Sequence, residues 1–261
     1  MSWIEALILG LLQGLTEFLP VSSSGHLELG KALLNINPEN SLTFTIVVHG
    51  ATVLSTIVVF RRDLWNLIKG FFAFKWNDET KYVFKIFVSM IPVGFVGLFF
   101  KDEVESLFTG NIVFVGAMLL ITAALLAFTY FKKSNTRDIG FRDSLVIGIA
   151  QAFAVIPGIS RSGSTIATGL LLGNKKEIVA KFSFLMVLIP IIGANLKDLA
   201  DGEMQNGGVG SIPLIVGFIA AFISGLFACK WMIGLVKKGK LIYFAVYCLI
   251  IGLVAIIYGL I

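Results

Sequence analysis

The sequence predicts an all-α polytopic membrane protein: one domain over residues 1–261, built as an inverted-topology repeat of six transmembrane helices and two re-entrant helical hairpins meeting near the bilayer midplane. Three observations lead there. Hydrophobic residues make up 57% of the 261-residue chain and charged residues only 14%, with a mean hydropathy of +0.91, whereas about a quarter of an ordinary soluble domain is charged. Apolar runs recur along the whole length with short charged loops between them, leaving no stretch for a separate soluble domain. Two apolar segments run into proline, glycine and serine, and they match each other at a constant spacing.

A helix needs about twenty apolar residues to cross a bilayer. Runs of that kind are predicted at 41–60, 84–100, 112–131, 180–196, 212–233 and 241–261. The segments 3–19 and 143–156 end at Pro20 and Pro157 and lead into polar stretches, so they are read as broken and not spanning. The first twenty residues lack a basic leader, carry Glu5 and Glu17, and end in a polar cluster. They are expected to stay in the mature protein. Cys229 and Cys248 lie inside apolar runs, a pattern of packing residues and not of a disulfide framework or metal cluster.

The two broken segments share Gly10/Gly148, Gln13/Gln151, Ser22/Ser160, Ser24/Ser162 and Gly25/Gly163, all at one offset of 138 residues (10 to 148, 25 to 163). The chain therefore reads as a duplication, with repeat 1 over about 1–138 and repeat 2 over about 139–261. Loops 61–83, 132–142, 173–181 and 230–240 are basic, whereas 101–111 and 197–211 are acidic on balance through Asp102, Glu103, Glu105, Asp198, Asp201 and Glu203. Lysine and arginine mark the cytoplasmic side. Both termini then lie outside, and each hairpin enters and leaves on one face, the first from outside and the second from the cytoplasm. The net charge of +5 resides in these loops and speaks for orientation, not for nucleic-acid binding.

The second hairpin carries PGISRSGST, residues 157–165. An arginine at membrane depth costs several kcal/mol unless it faces a cavity and meets an anion, which makes Arg161 the most informative residue. Gly158, Gly163, Ser160, Ser162 and Ser164 add a permissive backbone, N–H donors and hydroxyls ahead of a helix N-terminus. That combination suits a phosphate. A packing turn with Arg161 paired to Glu17 is the competing structural reading. In the first hairpin, QGLTEFLPVSSSGH, Gln13 and Glu17 share a helix face, while Ser23 and His26 place a hydroxyl and an imidazole within one turn. Glu17 is read as a metal ligand, a general base or the partner of Arg161. His49, in mid-span, is read as a helix-to-helix hydrogen-bonding residue. At the 138 offset Glu17 faces Val155, Ser23 faces Arg161 and His26 faces Ser164, so one half has acid–base groups and the other anion binding.

These two motifs closely resemble those of the undecaprenyl-diphosphate phosphatases of the bacitracin-resistance type, over essentially the whole chain: QGLTEFLPVSSSGH fits an (E/Q)xxxE segment followed by serine and histidine, and PGISRSGST fits PGxSRSxxT. The resemblance implies a hydrolase in the bacterial inner (plasma) membrane, its site opening to the extracytoplasmic side. It would convert undecaprenyl diphosphate to the monophosphate and inorganic phosphate, recycling the carrier lipid of cell-wall synthesis and conferring bacitracin resistance. By the resemblance, Glu17, Ser23, His26, Ser160, Arg161 and Thr165 fall on the family's functional positions; with the residue reading above, Glu17, Ser23, His26 and Arg161 are expected to be catalytic, and Gln13, Ser22, Ser24, Gly158, Ser160, Ser162, Gly163 and Thr165 to surround the head group. Gln13 stands where other members have a first glutamate, which weakens a two-carboxylate metal site. A divalent cation, Mg2+ or Ca2+, on Glu17 is the expected cofactor, and a homodimer the expected assembly. Ser23, His26 and water are all open as the attacking group. The rival class is a lipid flippase or secondary transporter, because broken helices in inverted repeats also build transporters.

Overall fold

The structure is a computed structural model describing residues 1–36, 42–108, 110–132, 136–200 and 209–260. Ser41 and Ile261, which bound two of the expected spans, and Lys133, Asp201 and Glu203 of the charged loops lie outside the described residues. Among those described, regular structure is helical apart from one isolated bridge between Arg137 and Asn174. In chain order the helices are α1 (Trp3–Phe18), α2 (Ser23–Leu33), α3 (Leu42–Val59), α4 (Arg61–Phe71), α5 (Asp78–Phe99), α6 (Lys101–Glu105) and α7 (Ile112–Phe128). They continue with α8 (Phe141–Phe153), α9 (Arg161–Leu171), α10 (Lys176–Met186), α11 (Leu188–Ala200), α12 (Ser211–Lys237) and α13 (Ile242–Leu260).

Among the described residues, five stretches are long and apolar enough to cross a membrane: Asp78–Phe99, Ile112–Phe131, Lys176–Lys197, Ser211–Lys237 and Ile242–Leu260. The sixth expected span, at 41–60, is α3, which bends by 76° into α4. The charge run Arg61–Arg62–Asp63 ends the apolar stretch there, yet it opens the helix α4, although 61–83 reads by charge as a loop. In α4, Leu64 and Leu67 pack on the core while Trp65 and Ile68 face outward. The Lys176–Lys197 stretch is interrupted between α10 and α11 by Pro190. A proline ring collides with the carbonyl four residues earlier, and that residue, Met186, is where α10 stops.

The outward faces are apolar, as a lipid solvent requires. Ile212, Ile215, Ile219 and Ile223 line one exposed face of α12, and Ile91, Phe95 and Leu98 one of α5. On α1, Leu7, Leu11 and Leu15 are exposed; on α8, Leu145, Ile149 and Phe153 are. These two triplets are separated by the same 138 residues as the motif pairs. The interior is filled by Phe18, Ile147, Ile166, Phe182 and Met186 in one cluster, and by Leu9, Leu27 and Phe44 in another.

Helix pairing crosses between the halves of the chain: α1 lies along α12, α8 along α5, and α7 along α13. Backbones meet closely at these crossings. A side-chain carbon on Gly10 would stand 2.5 Å from the Gly217 carbonyl oxygen, and one on Gly148 2.3 Å from that of Ser89. Without a hydrophobic drive between helices in lipid, such small-residue contacts supply the packing.

Candidate active site

The two polar stretches form the tips of helix–turn–helix units. Pro20 disfavours helical backbone at the residue before it, and Leu19 is accordingly extended at ψ 144 where α1 ends. Chain direction reverses through Ser22, at φ 68, a left-handed conformation uncommon for a residue with a side chain. The Ser22 hydroxyl caps α2 by accepting from the Gly25 amide at 3.2 Å. In the second unit the turn passes through Gly158 at φ +96, and Ser160 caps α9 by accepting from the Gly163 amide at 3.0 Å. The caps are Ser22/Gly25 and Ser160/Gly163, one offset apart. The tips touch: Ser162 Oγ donates to the Leu19 carbonyl at 3.1 Å. From α7, Thr122 donates to the Gly158 carbonyl at 3.2 Å and accepts from the Ser160 amide at 3.0 Å.

This contact brings Glu17, at the end of α1, against Arg161, the first residue of α9, and the two form an ion pair. The other carboxylate oxygen of Glu17 accepts from Gln13 Nε2 at 2.9 Å and from Ser23 Oγ at 2.7 Å. Glu17 is nearly buried, with 7% of its side chain exposed, whereas Arg161 keeps 28%. Arg161 faces open space. It borders a cavity of about 160 Å³ lined by the polar side chains of Ser23, Ser24, His49 and Gln151 together with the apolar Val93, Phe108, Val155, Ile159 and Pro190. Both partners of the ion pair also border a second void of about 20 Å³, whose other polar lining residues are Thr52, Thr56, Ser162, Thr165 and Ser183. There Thr165 Oγ1 lies 2.5 Å from Ser183 Oγ and donates to the Arg161 carbonyl at 2.9 Å.

Of the residues singled out by sequence, Gln13, Glu17, Ser23 and Arg161 make direct contacts in one cluster, and Ser24 borders the same cavity. Gly158, Ser160, Gly163 and Ser22 hold the turns and border neither void. His26 does not join Ser23. Its Nδ1 donates to the Ser22 carbonyl at 2.9 Å, so Nε2 is left to accept from the Tyr247 hydroxyl, also at 2.9 Å, with the two rings stacked. Sequence spacing put the hydroxyl and imidazole together, but the turn aims Ser23 at α1 and His26 at α13. The histidine near Glu17 is His49, whose Nε2 is 3.9 Å away. The helix-to-helix hydrogen bond expected of His49 is not the one made, since Nδ1 donates within α3 to the Thr45 carbonyl at 2.9 Å. The signal that marks His49 in the sequence is a histidine in mid-span, where an ionisable group is itself a pointer to function. No cluster of three or more His, Cys, Asp or Glu suited to a metal ion occurs among the described residues.

The cluster can accept a proton at Glu17, offer an activated hydroxyl at Ser23 and present a guanidinium to an anion. Residues 6–254 match the model of the family described as bacitracin resistance protein BacA. The chain is 58% identical to the undecaprenyl-diphosphatase of Bacteroides fragilis, the alignment covering 98% of both chains. It is 59% identical to that of Bacteroides thetaiotaomicron, over 98% of this chain and 99% of the relative. Identity to the undecaprenyl-diphosphatase of Methanosphaera stadtmanae is 40%, over 97% of each. Full-length matches at this identity, on a chain whose two motifs meet at one cavity, establish that it belongs to the BacA bacitracin-resistance protein family.

Proposed function

We propose that this protein is an undecaprenyl-diphosphatase of the membrane: it hydrolyses undecaprenyl diphosphate to undecaprenyl phosphate and inorganic phosphate, and through that recycling confers bacitracin resistance. The observation that carries the reading is Arg161, placed by the N-terminus of α9 on the wall of a cavity lined by both polar and apolar side chains. A prenyl diphosphate joins the same two chemistries, a polyanionic head group and an apolar tail. The flippase or transporter alternative fits the helices equally well, but not the name shared by the full-length relatives.

In this reading the head group takes the free N–H groups of Arg161, and its charge is stabilised where it builds up in an in-line displacement. Ser23 Oγ, already hydrogen-bonded to Glu17, attacks the terminal phosphorus while its proton passes to Glu17. The bond to the bridging oxygen breaks, and that oxygen leaves on undecaprenyl phosphate. The proton on Glu17 passes to that leaving phosphate; Glu17 then takes a proton from the water that attacks phosphorus, and returns it to Ser23 Oγ as the serine–phosphate bond breaks. Gln13 holds the Glu17 carboxylate in place. His26 acts through position, by holding Ser22 and the start of α2. A single carboxylate suits Mg2+ or Ca2+ only as an ion bound jointly with substrate phosphates. Glu17 would hold it, and it would supply further neutralisation of phosphoryl charge.

The two tip units are read as re-entrant hairpins in inverted repeats. The support is the matched caps, the matched exposed faces of α1 and α8, and the reciprocal packing of α1 on α12 and α8 on α5. With the basic loops cytoplasmic, the Glu17 hairpin enters from outside, so the site opens to the extracytoplasmic face of the bacterial plasma membrane. The decisive test is purified protein in detergent with a prenyl diphosphate. A phosphatase releases inorganic phosphate with no membrane gradient, and a preparation that binds the lipid but releases none refutes the reading.

A further inference from the structure

Gln151, on α8, has no part in the cluster of Gln13, Glu17, Ser23 and Arg161. It is 1% exposed, and neither its Nε2 nor its Oε1 has a hydrogen-bond partner among the described residues. Leaving a buried amide unpaired is costly, and each such group in a folded protein asks for an explanation. The repeat supplies one. Gln13, its counterpart at the 138 offset, donates to Glu17 four residues on. The residue four after Gln151 is Val155, which cannot accept. The amide has kept its place in the fold and lost its internal acceptor. It lies on the wall of the 160 Å³ cavity that Arg161 and Ser23 also border.

We propose that Gln151 is a head-group-binding residue: its amide N–H groups donate to a phosphoryl oxygen of the diphosphate bound at Arg161. This rests on the phosphatase reading for the identity of the ligand, but not for the existence of an anion contact. An amide presents two donors, and an oxygen carrying negative charge is the strongest acceptor they can meet. Contacts at Arg161 and at Gln151 would anchor the head group at two points, one contributing charge and the other direction.

The test is the affinity of a non-hydrolysable prenyl methylenediphosphonate for wild type, Gln151→Leu and Gln151→Glu, with thermal midpoints measured without ligand and phosphate release from a prenyl diphosphate measured in parallel. A hydrogen bond to a charged group corresponds to roughly ten- to hundredfold in affinity, so Gln151→Leu should bind at least about tenfold more weakly. Gln151→Glu, which removes the donors and adds a like charge, should lose more. Because Leu removes an unpaired buried amide, the ligand-free midpoint of Gln151→Leu should equal or exceed that of wild type. Affinity within about threefold of wild type in Gln151→Leu, together with a lower midpoint, would show a structural amide and overturn the proposal. Should Gln151→Leu fail to fold, retained affinity in the nearly isosteric Gln151→Glu overturns it. Phosphonate binding that depends on Gln151 in a protein releasing no phosphate would sink the phosphatase reading while leaving this one standing.

Discussion

Glu17→Gln separates the chemistry of the site from its architecture. The side chain keeps its shape, and its carbonyl oxygen can still accept from Ser23, but the negative charge beside Arg161 is gone. Removing one partner of a buried ion pair costs about 3–5 kcal/mol. Arg161 retains 28% exposure toward the cavity, which places the ligand-free loss near the lower end, about 3 kcal/mol. A diphosphate restores an anion to Arg161. The variant's thermal midpoint should therefore fall without ligand and rise more than that of wild type when a prenyl methylenediphosphonate is added, with affinity equal or higher. Turnover should fall by about 10²–10⁴, the usual worth of a positioned general base. Phosphate release in detergent and analogue binding by thermal shift read the two effects separately. Turnover within about threefold of wild type would remove Glu17 from proton transfer. Analogue binding weakened about tenfold would make it a binding scaffold.

Arg161→Lys keeps a charge but loses the planar fork, so phosphate release should drop by roughly 10² or more; near-normal turnover would mean that the arginine merely packs the turn. Gly148→Val places a side chain where the Ser89 carbonyl already lies 2.3 Å from the first added carbon, and a thermal midpoint unchanged from wild type would contradict the close crossing of α8 and α5, since overpacking costs about 1–3 kcal/mol or more. A cysteine at the exposed Ser2 should react with a membrane-impermeant maleimide in intact cells, whereas one at the exposed Lys175 should react only after lysis; the native Cys229 and Cys248 are buried and give little background. The reverse pattern would invert the proposed orientation.

Much of this protein is legible in one dimension because the bilayer is a simple solvent. Span length, apolar composition and the sidedness of lysine and arginine depend on hydrophobic thickness and charge transfer, which act on local sequence alone. Among the described residues, five spans and the α3 half of the bent α3–α4 pair fall where the apolar runs predict. The amphipathic α4 was hidden because a count of charges in 61–83 ignores their helical spacing. The break between α10 and α11 was available in principle from Pro190. Likewise, a motif with serine, glycine and arginine at membrane depth declares a site before any contact is known.

What only the tertiary structure decided is which groups share that site. Residues three or four apart on a helix are neighbours by geometry, so Gln13 with Glu17 came from spacing. Ser23 and His26 did not, because the left-handed turn at Ser22 rotates α2 so that one side chain meets α1 and the other meets α13. The approach of Arg161 to Glu17 spans 144 positions in the chain, and His49 reaches Glu17 from a different helix. Such contacts depend on how far each helix is rotated and shifted against its neighbours. Close crossings such as that at Gly10 set those rotations, and sequence periodicity shows which face of a helix is apolar but not which partner that face will meet.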